Sequence, residues 1–251
     1  MTRAFLSATW RHLLMVNYRV DPALIAHLAP VGTTVDTHEG QAFVSLVGFL
    51  FAHTRVRGLA IPFHRDFEEL NLRYYIRRDQ PGEARRAVAF VKEIVPLRAV
   101  AAAARLAYNE NYVFAPMSHL LELESGPCTD GFAKLDEDLR GKVSYSWTED
   151  GREHSLAATA DGSLRPLAPG SHEEFIAEHY WGYAAQRDGG TVEYQVEHPP
   201  WRVRDVREVQ VDVDFAAVYG PEWVECLSAP PVSAFCAEGS AVSVYEGERI
   251  A

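Results

Sequence analysis

The hydrophobic pattern is sharpest over residues 67–78, FEELNLRYYIRR. Leu70, Leu72, Tyr74 and Ile76 fall on one face, while Glu69, Asn71, Arg73, Tyr75 and Arg77 fall on the other. A period of two predicts a β-strand with one apolar and one polar side. Upstream, AFVSLVGFLF is apolar at both phases, the pattern of a strand buried on both faces. Downstream, Arg86 to Val95 predicts a further strand that Pro96 closes, and Gln80-Pro81-Gly82 supplies the turn before it. In that strand Val88, Phe90, Lys92 and Ile94 alternate with Ala87, Ala89, Val91, Glu93 and Val95. Both series begin apolar, so either Lys92 or Glu93 must pair or point somewhere less apolar.

Helical signals are fewer. Leu97 to Tyr108 follows Pro96, is rich in alanine, and can align Val100, Ala104 and Ala107. Asp21 and Pro22 suit the start of a short helix within residues 20–30, and Ser171 with Glu174 makes a capping box. Phe175, His179 and Tyr183 would share a stripe on the helix that this box opens. KVSYSWTED and REHSLAATA read as strands joined at Asp150-Gly151; TVEYQVEH, WRVRDVREVQVDVDF and AVSVYEG are later strand segments. Many strands with a few inserted helices, and neither repeat nor linker, predict one mainly antiparallel α+β domain over residues 1–251. Residues 220–251 form its C-terminal extension.

Composition narrows the function classes. The balance of 47% apolar and 24% charged residues is that of a soluble globular protein. A net charge of -11 argues against nucleic acid as a partner. Cys128, Cys226 and Cys236 make a poor disulfide framework and point to a reducing cytoplasm. The start has no signal-peptide pattern, and the longest uncharged run, Gly40 to Thr54, is too short for a spanning helix, so no membrane role is expected. Phosphate-binding glycine motifs, a G-x-S-x-G elbow and zinc-like cysteine pairs are all missing. His172 and His179 lack an HExxH context, so neither a metal nor another cofactor is expected.

The polar face holds the main candidate chemistry. On a solvent-facing strand Glu69, Asn71 and Arg73 would be ordinary surface residues. Facing an enclosed cup, Arg73 could hold a carboxylate, Asn71 orient a carbonyl, and Glu69 move a proton. Glu93 is a second acid/base candidate. Among the three lysines, Lys92, Lys134 and Lys142, only Lys92 sits where burial could make it an imine-forming nucleophile. Asn109, Glu110 and Asn111 suit a helix exit, or the floor of the same cup beside Arg73. His53 and His64 flank a loop that could line its mouth, and Trp201 could serve as an apolar lid.

FEELNLRYYI, the VAFVKEIVP strand, the helix after it and YNENYVFAPM together resemble the DUF2071 or YqjF-like family. Its members resemble acetoacetate decarboxylase in fold. The resemblance runs from Phe5 to about Val209, including the HPPW at His198 to Trp201. It places a family E-x-N-x-R-x-Y pattern on Glu69, Asn71, Arg73 and Tyr75 and implies a curved sheet wrapping an internal pocket. Acetoacetate decarboxylase carries adjacent lysines after a motif similar to REIWGYPKK. Here KEIVPLRAV puts Leu97 and Arg98 near those positions, and arginine cannot form an imine. The expectation is therefore an internal pocket for an organic acid or carbonyl compound, with Asn71, Arg73, Tyr75, Asn109 and Asn111 binding ligand. The alternatives are a lyase using Glu/Arg acid–base chemistry without a Schiff-base lysine, and a non-enzymatic binding protein or homo-oligomer.

Overall fold

In the computed structural model, which describes residues 4–107 and 109–250, both faces of the FEELNLRYYIRR strand are covered from Phe67 to Ile76. Tyr108, the last residue of the expected helix, and the side chain of Ala107 lie outside the described residues. In chain order the elements are β1 (Leu6–Val20), α1 (Pro22–Ala26), β2 (Thr34–Val35), β3 (Ala42–Val56), β4 (Phe67–Gln80), β5 (Glu83–Val95) and α2 (Arg98–Ala107). Then come β6 (Tyr112–Phe114), β7 (Met117–Leu123), β8 (Gly126–Cys128), β9 (Leu139–Glu149), β10 (Arg152–Pro166) and α3 (His172–Ala177). The last are β11 (Trp181–Ala185), β12 (Thr191–Glu197), β13 (Arg202–Asp212), α4 (Phe215–Tyr219), α5 (Val224–Leu227), β14 (Ser233–Val244) and β15 (Glu248–Arg249).

The strands form one strongly curved, mainly antiparallel sheet. Its central path is β12-β11-β5-β4-β3-β1-β14, and β12 also pairs with β14, which closes these strands into a barrel. Only the contacts of β5 with β11 and β6 are parallel among the described pairings. From β14 the sheet runs on through β13, β10, β9, β7 and β8. This arm folds back over the outside of the barrel, where Tyr145 and Trp147 pack with Leu14, Leu46 and Leu72.

Double burial explains the unbroken apolar run of β3. Val47, Phe49 and Phe51 face inward, while Val44, Leu46 and Leu50 join the outer core. Gly48 permits the close approach of the arm. A Cβ there would lie 2.5 Å from Tyr145 Cδ2, and the Tyr145 hydroxyl donates to the His12 carbonyl at 2.7 Å. On β4, Leu70, Leu72, Tyr74 and Ile76 enter the outer core, as period two predicts. In the opposite series Glu69, Asn71, Arg73 and Tyr75 are buried toward the barrel interior, and Arg77 beyond them is exposed.

Strand β5 departs from strict alternation. Leu72 pairs with Lys92 and Arg73 with Phe90, so Val91 is an extra residue, a β-bulge. The bulge reverses the phase beyond it. Val88 and Phe90 point inward, but Glu93 and Val95 then follow them, while Lys92 and Ile94 turn outward. The expected grouping of Lys92 with Val88 and Phe90 is corrected by this one residue.

The helices plug the barrel's two ends. α2 packs on β5 and β6 near Val95, and α3 brings Phe175, Ile176 and Ala177 against Tyr75 at the other end. Asp21 caps α1 with Pro22 in its first turn, and Ser171 accepts from the Glu174 N–H at α3. α3 stops at Ala177, so His179 and Tyr183 do not extend a helical stripe. The C-terminal stretch supplies β14, which begins well before the AVSVYEG segment. All three cysteines are free thiols. Among the described residues no helix is long and apolar enough to cross a membrane.

Candidate functional site

The barrel encloses a chamber of about 470 Å³. Its floor is laid by β4, where period two places Phe67, Glu69, Asn71 and Arg73 in one inward row. Antiparallel pairing sets Glu93 of β5 directly opposite Asn71, and parallel pairing sets Tyr112 of β6 beside Glu93. The bulge therefore decides the site. Without it Lys92, not Glu93, would face the row. Asn111 holds the bulge in place: its side chain donates to the Val91 carbonyl at 2.8 Å, and its own carbonyl accepts from the Glu93 N–H at 3.0 Å.

One wall of the chamber is polar. Asn71 donates to Glu69 Oε1 at 3.0 Å, and the Tyr112 hydroxyl donates to Glu69 Oε2 at 3.1 Å. Glu110 enters from the loop after α2 and accepts from the Tyr194 hydroxyl at 2.5 Å. Tyr194 reaches it by lying across Gly182 on the neighbouring strand, where a Cβ would be 2.2 Å from the ring. Three carboxyl groups thus share one poorly solvated space. Burial pushes Glu69 up to about 7, opposed by the Asn71 and Tyr112 hydrogen bonds and reinforced by Glu110. Burial likewise pushes Glu110 up to about 7, and the Tyr194 bond tempers the rise. Glu93 is displaced well above the carboxylate range, first by burial and then by Glu110 and Glu69. Its Oε2 and the Oδ1 of Asn71 are buried without a hydrogen-bond partner.

Arg73 stands at the α3 end, 8% exposed. Its Nη2 donates to the Ile176 carbonyl at 2.9 Å and lies 3.8 Å from Met15 Sδ; its Nε reaches the Tyr75 hydroxyl at 3.4 Å. Tyr75 is anchored in turn to Ser45 at 2.6 Å, and Ser45 donates to Asn17. Among the described residues no carboxylate lies within 4.0 Å of the Arg73 guanidinium, while the other buried arginine, Arg204, and the buried Lys92 each have such a partner. Nearby His179 lies tilted against Tyr75, with 4.9 Å between ring centres. Burial and the charges of Arg86 and Arg73 hold its imidazole well below its ordinary value, hence neutral at physiological pH. His198 also faces the chamber, stacked on Trp201 at 4.2 Å.

The expected residues divide clearly. Glu69, Asn71, Arg73 and Glu93 converge on the chamber, with Tyr75 just behind Arg73 as its support. Lys92 does not join them. It lies on the outer face, 2.5 Å from Glu149 Oε1 and 2.9 Å from the Val218 carbonyl. Asn109 and Asn111 line a separate cavity of about 380 Å³ outside the barrel wall, which shares Phe90 and Glu110 with the main chamber. Asn109 adopts φ +58°, donates to the Ala185 carbonyl and accepts from Arg187. Of the two loop histidines, His64 lines the chamber and His53 is exposed. Trp201 forms part of the wall. Glu110, Tyr112, Tyr194 and His179 come from segments whose local patterns point only to turns, strands or a helix. The acid in Asn109-Glu110-Asn111 was the one available signal. No group of three metal-ligating side chains occurs among the described residues.

The architecture has solved counterparts. The enduracididine biosynthesis enzyme MppR, in a complex with pyruvate, superposes with a TM-score of 0.67 at 13% identity, over 100% of this chain and 92% of that one. Acetoacetate decarboxylase from Legionella pneumophila gives 0.64 at 11% identity, covering 99% of this chain and 88% of its own. At such identities the likeness is one of fold: a curved antiparallel sheet with few helices, of the acetoacetate decarboxylase type. In sequence, the chain is similar to the uncharacterized protein YqjF of Bacillus subtilis (strain 168), 26% identical over 208 residues that span 82% of this chain and 77% of YqjF. The family DUF2071, described as an uncharacterized conserved protein, matches residues 7–241, and the chain belongs to that family.

Proposed function

We propose that the barrel chamber binds a small organic acid or carbonyl compound, with Arg73 holding the carboxylate and Glu93 exchanging a proton with the bound ligand. The carrying observation is the guanidinium of Arg73, which is buried, faces the chamber and lacks an ion-pair partner among the described residues. A buried charge without a counter-charge is costly, and an anionic ligand offsets that cost with charge-assisted hydrogen bonds. The nearby carboxyls cancel Arg73 only in part up to neutral pH, because burial, reinforced at Glu69 and Glu93 by the neighbouring acids, favours their protonated forms.

The orphaned atoms fit the same ligand. Glu93 Oε2 and Asn71 Oδ1 are cross-strand neighbours facing one volume. A protonated Glu93 donates to a ligand carbonyl; once ionised, it accepts a proton from the carbon beside that carbonyl. Such a cycle suits a carboxyl that burial and neighbouring acids raise above the ordinary carboxylate range. It uses no imine, and no lysine lines the chamber. The MppR complex with pyruvate supports a 2-oxo acid as the first ligand to try.

The direct test is calorimetry and thermal shift with pyruvate. Pyruvate should raise Tm by selective binding to the native state, and Arg73→Gln should weaken binding at least tenfold. No stabilisation by pyruvate or any other short 2-oxo acid would overturn the reading. For the proton-transfer step, deuterium exchange into the methyl group of bound pyruvate, followed by NMR, should fall about a hundredfold in Glu93→Gln.

A further inference from the structure

Resting on that reading, we infer that the ligand is an amphiphilic acid, bound carboxylate-first, whose extended apolar body runs from Arg73 toward the end of the barrel beneath α2.

Size is the first argument. The chamber's 470 Å³ equals about fifteen water volumes at roughly 30 Å³ each. An acid as small as pyruvate would leave most of it as water against greasy walls. The second argument is the distribution of polarity. Most of the polar lining groups sit on β4, β5, β6, β12 and the loop carrying Glu110, joined by Thr54 on β3 and by His64, His179 and His198 from loops. The wall that runs on from β4 through β3 to β1 is otherwise apolar, with Leu6, Trp10, Leu13, Val47, Phe49 and Phe51. Apart from the Trp10 indole N–H, which has no partner among the described residues, those six side chains offer nothing to a second carboxylate or a sugar, and much to a hydrocarbon or aryl group.

The third argument is axial order. Along β4 the inward row runs Arg73, Asn71, Glu69, Phe67, about 20 Å from end to end at roughly 3.3 Å per residue. The cation stands at the end that α3 covers. Phe67 stands at the other, stacked on Phe51 at 4.7 Å, with Trp10 a further 5.7 Å from Phe51. Over this aromatic end α2 presents Ala99, Ala103 and Ala104, whose small side chains leave room where bulky ones would fill it. The adjoining segment between β3 and β4 places Ile61 in the lining and leaves Leu59, Ile61 and Phe63 exposed, so the rim is apolar too. A head group seated at Arg73 therefore puts its carbonyl beside Asn71 and Glu93, and the rest of the chain passes Glu69 to end against aromatic and aliphatic carbon.

The test is calorimetric titration of the full chain with pyruvate, 2-oxohexanoate and 2-oxooctanoate, repeated with Arg73→Gln. Each methylene buried should tighten binding about fourfold, making 2-oxohexanoate roughly sixtyfold tighter than pyruvate. Arg73→Gln should weaken all three acids by a common factor. Where Arg73→Gln does not fold, Arg73→Lys replaces it, keeping the charge and losing the planar fork, with a smaller common loss. If pyruvate binds through Arg73 but lengthening the chain leaves Kd unchanged or raises it, the amphiphile is overturned and the acid-binding site stands. If the longer acids bind the Arg73 variant as tightly as the unaltered protein, the carboxylate-first orientation is overturned. If no acid binds, the acid-binding reading itself fails, and this inference with it.

Discussion

Lys92 and Glu93 are adjacent in sequence and occupy opposite sides of the barrel wall. Their chemistry follows from that separation. Lys92 has a carboxylate and a carbonyl as partners, so its charge is satisfied in place. Lys92→Met should cost about 2 kcal/mol in urea unfolding, because it orphans a mostly buried Glu149. It should leave the affinity for pyruvate within twofold. Borohydride added with pyruvate should give no adduct at Lys92 in peptide mass spectrometry. An adduct there would restore imine chemistry and displace Glu93 from its assigned role.

At the scale of elements, two local devices set the site: the Val91 bulge and the bare backbone of two glycines. Gly48→Ala should destabilise by about 1–3 kcal/mol, since the added methyl meets the fully buried Tyr145 ring. Chemical denaturation measures this directly. Gly182→Ala should push Tyr194 off Glu110 and so alter the pH dependence of ligand binding while β11 and β12 stay paired. The same devices mark how far the sequence could be read. That Glu69, Asn71 and Arg73 share one face of β4 was legible because period two is unambiguous there, whereas periodicity alone left open whether that face turns inward or to solvent. Both caps and the doubly buried β3 were legible for similar reasons. The side taken by Glu93 was not. A bulge built on valine has no turn residue to announce it, and one extra residue inverts every later side chain. Tyr194 and His179 were not legible either, since only barrel closure brings those segments together, whereas Glu110 was one of three neighbouring residues offered for the pocket floor.

For the molecule as a whole, the carboxyl cluster makes stability and binding depend on pH in the same sense. Glu69 and Glu110 rise from about 4.5 unfolded to about 7 folded. Between those values the native state holds protons that the unfolded chain has released. Stability therefore falls as pH rises from about 4.5 to 7 and levels off above the folded value. For one such carboxyl the change is on the order of a few kcal/mol. Urea titrations at pH 5 and 8 should show that loss, and Glu69→Gln should flatten it. Acid binding should weaken across pH 6 to 8 as well, because ionising the cluster surrounds the ligand's carboxylate with negative charge.

The strand that completes the enclosure has a temporal consequence. β14 is the partner of β1, and Arg11 touches Gly239 across 228 positions of chain. During synthesis β1 emerges from the ribosome long before the segment that must lie beside it. Until β14 arrives, β1 is a long, largely apolar edge with one side unpaired, the kind of surface that recruits chaperones or other nascent strands. With so many contacts between residues distant in sequence, refolding should be slow. Arg73 can acquire its sealed surroundings only in the last steps of that process.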